Sequence, residues 1–185
     1  MVQKMQKIGR FWTKVVILFG LLPLIVGCGV DKKSFLPELD AAFSCHVSGE
    51  CGGEAFEATV SAGEWIAEQD GEQTRSLRVV YTAPEHLRGL IAMKNGNEYT
   101  LTLDGVQITG SHLLGFLLPA RLLGDSFEVT DTRVQKNEGR AICEVLGNAP
   151  NGSRQVKIDS DSGEILWVAG TLDGLYAEFC VENLK

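Results

Sequence analysis

The sequence predicts a mainly β domain with helices. It is an antiparallel, incomplete β-barrel of about eleven strands, curled around a central apolar helical insertion and a helix at its front. Three observations carry this. From Phe43 onward, apolar residues recur with period two in short runs, the mark of half-buried strands. Gly-Gly, Asp-Gly and Asn-Gly pairs separate many of these runs and tolerate the positive φ of tight hairpins. The pattern breaks once, at residues 111–124, where leucine dominates without alternation. An antiparallel sheet buries such a segment by curling over it.

Residues 1–27 stand apart from this domain. Lys4, Lys7, Arg10 and Lys14 precede a run, residues 15–26, that is apolar or Gly/Pro throughout. This is the charged and hydrophobic order of a secretory signal. Twelve residues rise about 18 Å as a helix, short of the roughly 20 residues a spanning helix needs. Ile25-Val26-Gly27-Cys28 resembles the bacterial lipobox. In that motif the Cys thiolate accepts a diacylglycerol and becomes the new N-terminus, because the thiolate is the nucleophile. The domain organisation expected is a lipoprotein signal peptide over 1–27, a lipidated tether over 28–34 and the barrel domain over 35–185. Cys28 would carry the fatty acyl chains, palmitate among them, and hold the protein on the extracytoplasmic face of the cell membrane.

From Cys28 onward 158 residues remain, with 13 basic against 24 acidic side chains, a net charge of −11. That length supports one domain with a real core. The acidic balance argues against nucleic acid and against broad electrostatic docking on anionic headgroups. Membrane attachment would then fall to the lipid, since two chains hold where one is marginal.

Taken in order, residues 29–34 are a polar tether reaching about 20 Å at most. Residues 35–43 place Leu36, Leu39 and Phe43 near one helical face, with Pro37 in a first turn. Folding about Gly52-Gly53 pairs Cys51 with Glu54, Gly49 with Phe56, Val47 with Ala58 and Cys45 with Val60. His46 falls on the polar side of that hairpin. Strands are expected over Glu64–Glu68, Leu77–Thr82 (stopped by Pro84), Leu90–Lys94, Glu98–Asp104 and Val106–Thr109. Asp70-Gly71, Asn95-Gly96 and Asp104-Gly105 supply turns. Strands resume over Phe127–Val134, Ala141–Leu146, Arg154–Ile158, Glu164–Val168 and Leu175–Val181, with Asp161-Ser162-Gly163 as a turn.

The break at 111–124 holds Leu113, Leu114, Phe116, Leu117, Leu118, Leu122 and Leu123. Ser111 would cap a helix, Gly124 would end it and Pro119 would kink or split it. Apolar residues on nearly every side fit two roles. One is a core helix filling an open sheet. The other is a mobile lid whose seven large side chains contact a hydrophobic ligand.

Beyond Cys28 the cysteines are Cys45, Cys51, Cys143 and Cys180, which permit two disulfides in three connectivities. Cys45 and Cys51 lie about 20 Å apart on an extended strand, too far to bridge one another; at most one of them would pair with Cys143 or Cys180. There is no C-x-x-C, and His46, His86 and His112 show no ligand spacing, so no metal and no cofactor is expected. G-x-S-x-G, H-E-x-x-H and a phosphate-binding Gly loop after a strand are missing, so no enzyme is expected.

The order of motifs resembles the lipoprotein-carrier family of LolA, LolB and LppX, and small clostridial lipoproteins of that fold. The residues that carry the likeness are the helix into Phe43-Ser44, the Gly52-Gly53 hairpin and Tyr81-Thr-Ala-Pro-Glu-His-Leu-Arg-Gly89. They continue with Asn95-Gly96 through Asp104-Gly105 and Lys157-Ile-Asp-Ser-Asp-Ser-Gly163. The resemblance implies a concave apolar face that shelters acyl chains or another lipid. The Arg with which the carrier latches its lid and the exposed loop Leu of the receptor have no assigned counterparts on this chain. The expected function is a membrane-anchored lipoprotein that binds a hydrophobic small molecule or lipid at the cell envelope. The alternative is a non-catalytic envelope interaction or assembly protein whose barrel is filled by its own helix. No particular protein partner is indicated.

Overall fold

The computed structural model describes Leu39 and residues 41–67, 73–137 and 139–185. The signal with Cys28 and the Asp70-Gly71 turn therefore lie outside the described residues. So does all of the expected front helix except Leu39, Ala41, Ala42 and Phe43; of these Leu39 is buried and Phe43 already opens the first strand.

The strands, in chain order, are β1 (Phe43–Cys51), β2 (Glu54–Ala62), β3 (Ile66–Ala67), β4 (Gln73–Thr74), β5 (Leu77–Ala83), β6 (Ile91–Asn95), β7 (Glu98–Leu103) and β8 (Val106–Thr109). After the helical segment come β9 (Glu128–Asn137), β10 (Arg140–Ala149), β11 (Gly152–Asp159), β12 (Ile165–Leu172) and β13 (Leu175–Glu182). Eleven of them form one antiparallel sheet, in the order β8-β7-β6-β5-β2-β1-β13-β12-β11-β10-β9. The sheet does not close, so the fold is the incomplete barrel that the alternation predicts. β3 and β4 pair separately as a small hairpin, reducing the strand expected over Glu64–Glu68 to two residues.

Most neighbours in the sheet are hairpin partners in sequence. The β1–β2 register places Cys45 opposite Val60, Val47 opposite Ala58, Gly49 opposite Phe56 and Cys51 opposite Glu54, as the Gly-Gly turn dictates. The long-range join is β1 with β13, where Val47 faces Val181 and Gly49 faces Phe179. Ser44 and Lys185 exchange backbone hydrogen bonds at 3.0 Å each, so Lys185 is paired beside the first strand.

The apolar phase of each strand points to one concave side. Val47, Val60, Val79, Val156, Val168 and Phe179 are fully buried there. The helical segment fills this side. It is not one capped helix: Ser111–Leu117 is a 3₁₀ run and Leu118–Gly124 is α-helix α1. Pro119 sits in the first turn of α1, where its missing N–H costs nothing, so it splits the segment at the junction. Ser111 is the first residue of the 3₁₀ run and makes no capping bond; the residue before the run is Gly110. Gly124 is the last α-helical residue and not a left-handed terminator, and Asp125 follows in extended conformation. The reason for glycine is packing: a Cβ on Gly124 would stand 2.7 Å from Leu77 Cδ2.

Candidate binding surface

The seven apolar residues of the insertion divide into two groups. Leu113, Leu117, Leu118, Leu122 and Leu123 are buried and belong to the same core cluster as the strands. Leu114 is half-buried, and Phe116 is 37% exposed. α1 touches β2 and β5 from one half of the sheet and β12 and β13 from the other, so the sheet wraps it on both sides. The 3₁₀ run lies on β5, β6 and β7.

Polar side chains fasten this segment by its carbonyls. Arg154 of β11 donates from Nη1 to the Leu122 carbonyl at 2.7 Å and the Leu123 carbonyl at 3.4 Å, and its guanidinium stacks 4.0 Å over Phe127. Those carbonyls are among the four that a helix C-terminus leaves without intrahelical donors. The Tyr81 hydroxyl of β5 donates to the Phe116 carbonyl at 2.9 Å, at the end of the 3₁₀ run. Burial pushes the Tyr81 hydroxyl well above the ordinary range, with a smaller push from Cys51, so it remains a donor. Arg121 bonds Asp125 at 3.0 Å and Asp173, in the β12–β13 turn, at 2.6 Å. Arg75 performs the same service for the front of the domain. It donates to the Leu39 carbonyl at 2.6 Å and the Ala41 carbonyl at 3.2 Å, between the Phe43 and Trp65 rings.

None of these fasteners stands out in the sequence by motif, although a signal exists. Arg154 is in phase with Val156 and Ile158 on the buried side of β11, and Arg75 is in phase with Leu77, Val79 and Tyr81. A charged residue in the apolar phase of a strand is kept only where it finds partners.

Apolar surface remains at one margin of the concave side. In the β7–β8 register Leu101 faces Ile108 and Leu103 faces Val106. Since Leu101 is buried, Val106 and Ile108 share the concave side, yet they are 66% and 52% exposed. Leu114 and Phe116 of the 3₁₀ run are likewise apolar and not sealed in the core.

The four domain cysteines are free thiols, so none of the disulfides considered from the sequence forms. The reason is placement. Cys45 and Cys143 are both buried, but β13, β12 and β11 separate their strands. Cys51 lies at the far end of β1, and Cys180 is exposed on the side of β13 opposite Phe179 and Val181. Burial pushes the Cys45 thiol up to about 12 and raises Cys143 as well; Cys51 is raised by burial and then by Glu54. Among the described residues no group of three or more His, Cys, Asp or Glu could hold a metal ion. No described helix is long and apolar enough to cross a membrane. A hollow of about 440 Å³ lies at the β2–β5 bulge, lined by Ser48, Gly49, Ala55, Phe56, Glu57, Ala83 and Pro84, and holds none of the insertion's residues.

No family model matches the chain, and no curated protein matches it. Solved structures do. An uncharacterized conserved protein from Thermus thermophilus is similar at 15% identity and TM-score 0.48, over 83% of this chain and 85% of that one. A LolA superfamily protein from Nitrosomonas europaea is similar at 12% identity and TM-score 0.43, over 85% and 94%. The Mycobacterium tuberculosis lipoprotein LppX is similar at 13% identity and TM-score 0.43, over 81% and 90%. A LolA superfamily protein and LppX are thus among the solved structures to which this chain is similar.

Proposed function

We propose that this chain is a lipid-anchored, non-catalytic binding protein of the cell envelope. Cys28 carries the lipid after removal of residues 1–27, residues 28–34 tether the domain, and the domain stands on the extracytoplasmic face of the membrane. It takes a hydrophobic ligand, an acyl chain or lipid, along the margin formed by Val106, Ile108, Leu114 and Phe116. Leu113, Leu117, Leu118, Leu122 and Leu123 are the wall behind that margin.

The observation that supports this reading is the division within one apolar segment. Five residues are spent on the core, while Phe116 of the same segment stays exposed, as do Val106 and Ile108 of β8. Covering a Val, Ile or Phe side chain contributes about 1.5–3 kcal/mol each, so a chain lying along the margin gains from several contacts at once. A second reading is favoured by the burial of those same five leucines: a barrel filled by its own helix, with no ligand at all.

One titration separates the two. A fluorescent fatty acyl probe is added to the full chain and to its Ile108→Asp and Phe116→Asp variants. Under the ligand reading both variants lose about tenfold or more in probe affinity, while far-UV circular dichroism is unchanged because both positions already face water. Equal, weak probe uptake by all three proteins selects the filled barrel. The anchor is tested independently. Cys28→Ser should abolish incorporation of labelled palmitate and leave the signal uncleaved; label retained by that variant would sink the lipobox assignment.

A further inference from the structure

The open sheet has two edges, and they differ in how they are protected. β9 carries Glu128, Asp131, Arg133 and Lys136 within ten residues and is bulged against β10 between Leu146 and Gly147. Charges, bulges and shortness are the usual means by which an edge refuses further strands. β8 is short, at four residues, but has neither charge nor bulge. Its four residues, Val-Gln-Ile-Thr, are all exposed, and no Asp, Glu, Lys or Arg occurs from Gly105 to Ala120.

The phase of β8 is fixed by its neighbour. The Gly110 N–H donates to the Tyr99 carbonyl at 3.0 Å. In an antiparallel pair, facing residues alternate between bonded and non-bonded. The Leu101–Ile108 and Leu103–Val106 pairs are therefore the bonded ones, and Gln107 and Thr109 turn their N–H and C=O groups to the outer edge. No described strand pairs with that edge.

We propose that the outer edge of β8 docks an extended segment of a partner polypeptide by strand addition. Donors and acceptors repeating every second residue, about 6.8 Å apart, match another extended backbone; an acyl chain offers neither. The partner segment is uncharged across the strand, since the edge offers no charge to pair. It carries apolar residues at alternate positions, which fall beside Val106 and Ile108, and small polar residues that fall beside Gln107 and Thr109. A second copy of this chain fits poorly. Four paired residues span about 14 Å at roughly 3.4 Å each, an edge that a short peptide strand meets alone but that a second copy meets with a whole domain behind its strand. Each copy also brings its own net charge of −11 from Cys28 onward. This inference goes beyond the lipid reading, because recognition is by main-chain groups on the outer edge, with the Val106 and Ile108 side chains only flanking the added strand.

The test uses the full chain and a fluorescein-labelled peptide, Ser-Val-Thr-Ile-Thr-Val-Ser, with a backbone N-methylated form as control. Gln107→Pro removes one outward N–H and none of the bonds to β7, and proline is tolerated on edge strands. Wild type is expected to raise the anisotropy of the plain peptide and not of the N-methylated one. Gln107→Pro is expected to weaken binding at least tenfold, with unchanged circular dichroism and unchanged acyl-probe affinity. Binding that survives Gln107→Pro, equal binding of the N-methylated peptide, or no peptide binding by wild type each overturns the proposal. Should Gln107→Pro fail to fold, the comparison of the two peptides on wild type decides alone. Sedimentation that shows a wild-type dimer in place of peptide binding would assign the edge to a second copy and overturn the partner segment.

Discussion

α1 and β8 both carry large aliphatic side chains, are uncharged over most of their length and lie close in sequence, yet one is sealed and the other is open. The difference lies in what the rest of the chain supplies to each. α1 receives Arg154 on its last carbonyls, an Arg121 bridge to Asp125 and Asp173, and a notch at Gly170, where a Cβ would stand 2.7 Å from Leu122 Cδ2. Among the described strands, β8 receives one neighbour, β7. Apolar composition alone therefore does not decide burial. Complementary shape and donors for the helix-end carbonyls decide it.

The largest effect should come from breaking the sealed side. Leu122 is fully buried and seated against Gly170. Leu122→Ala removes packed methyl groups and leaves a cavity between α1 and β12, at a cost of about 2–5 kcal/mol. Ile108→Ala removes a similar side chain from the open side and should change stability by about 0.5 kcal/mol or less. Urea unfolding monitored by circular dichroism gives both numbers. Equal losses would mean that the margin is as much a part of the core as α1, and the contrast would fall.

The same contrast explains what could be read from the sequence. Hairpin registers were legible where a two-residue turn fixes pairing locally: the β1–β2 and β7–β8 pairs obey Gly52-Gly53 and Asp104-Gly105, whereas Asn95 faces Glu98, so the β6–β7 turn is Gly96-Asn97, one residue on from the expected Asn95-Gly96. The break at 111–124 was legible as a helical insertion because period two stops there. Its division into a 3₁₀ run and α1 turns on Pro119, which the sequence displays. Which of its leucines would be sealed was not legible, because that depends on β12 and β13, some fifty residues away. The pairing of β1 with β13 is likewise long-range, and no turn announces it. Val106 and Ile108 alternate like any half-buried strand. Their exposure follows from β8 being last in the sheet, a property of strand order and not of the strand itself. Cys28 lies outside the described residues, so its role rests on the motif around it.

A smaller effect should locate the boundary between the two regions. Tyr81 holds the Phe116 carbonyl, the point where the 3₁₀ run gives way to α1, and its ring packs edge-on against Phe56 at 6.0 Å. Tyr81→Phe keeps the ring and removes only the donor. An orphaned buried carbonyl costs about 1–3 kcal/mol, and water that reaches the exposed Phe116 should hold the loss near about 1 kcal/mol. More telling is where the loss is felt. Opening is local where few buried contacts oppose it, so amide exchange should quicken across Ser111–Leu117 while the last turn of α1, held by Arg154, keeps its protection. Faster exchange through Gly124 as well would show that the run and the helix open as one unit, and that the margin is separated from the core by less than its exposure implies.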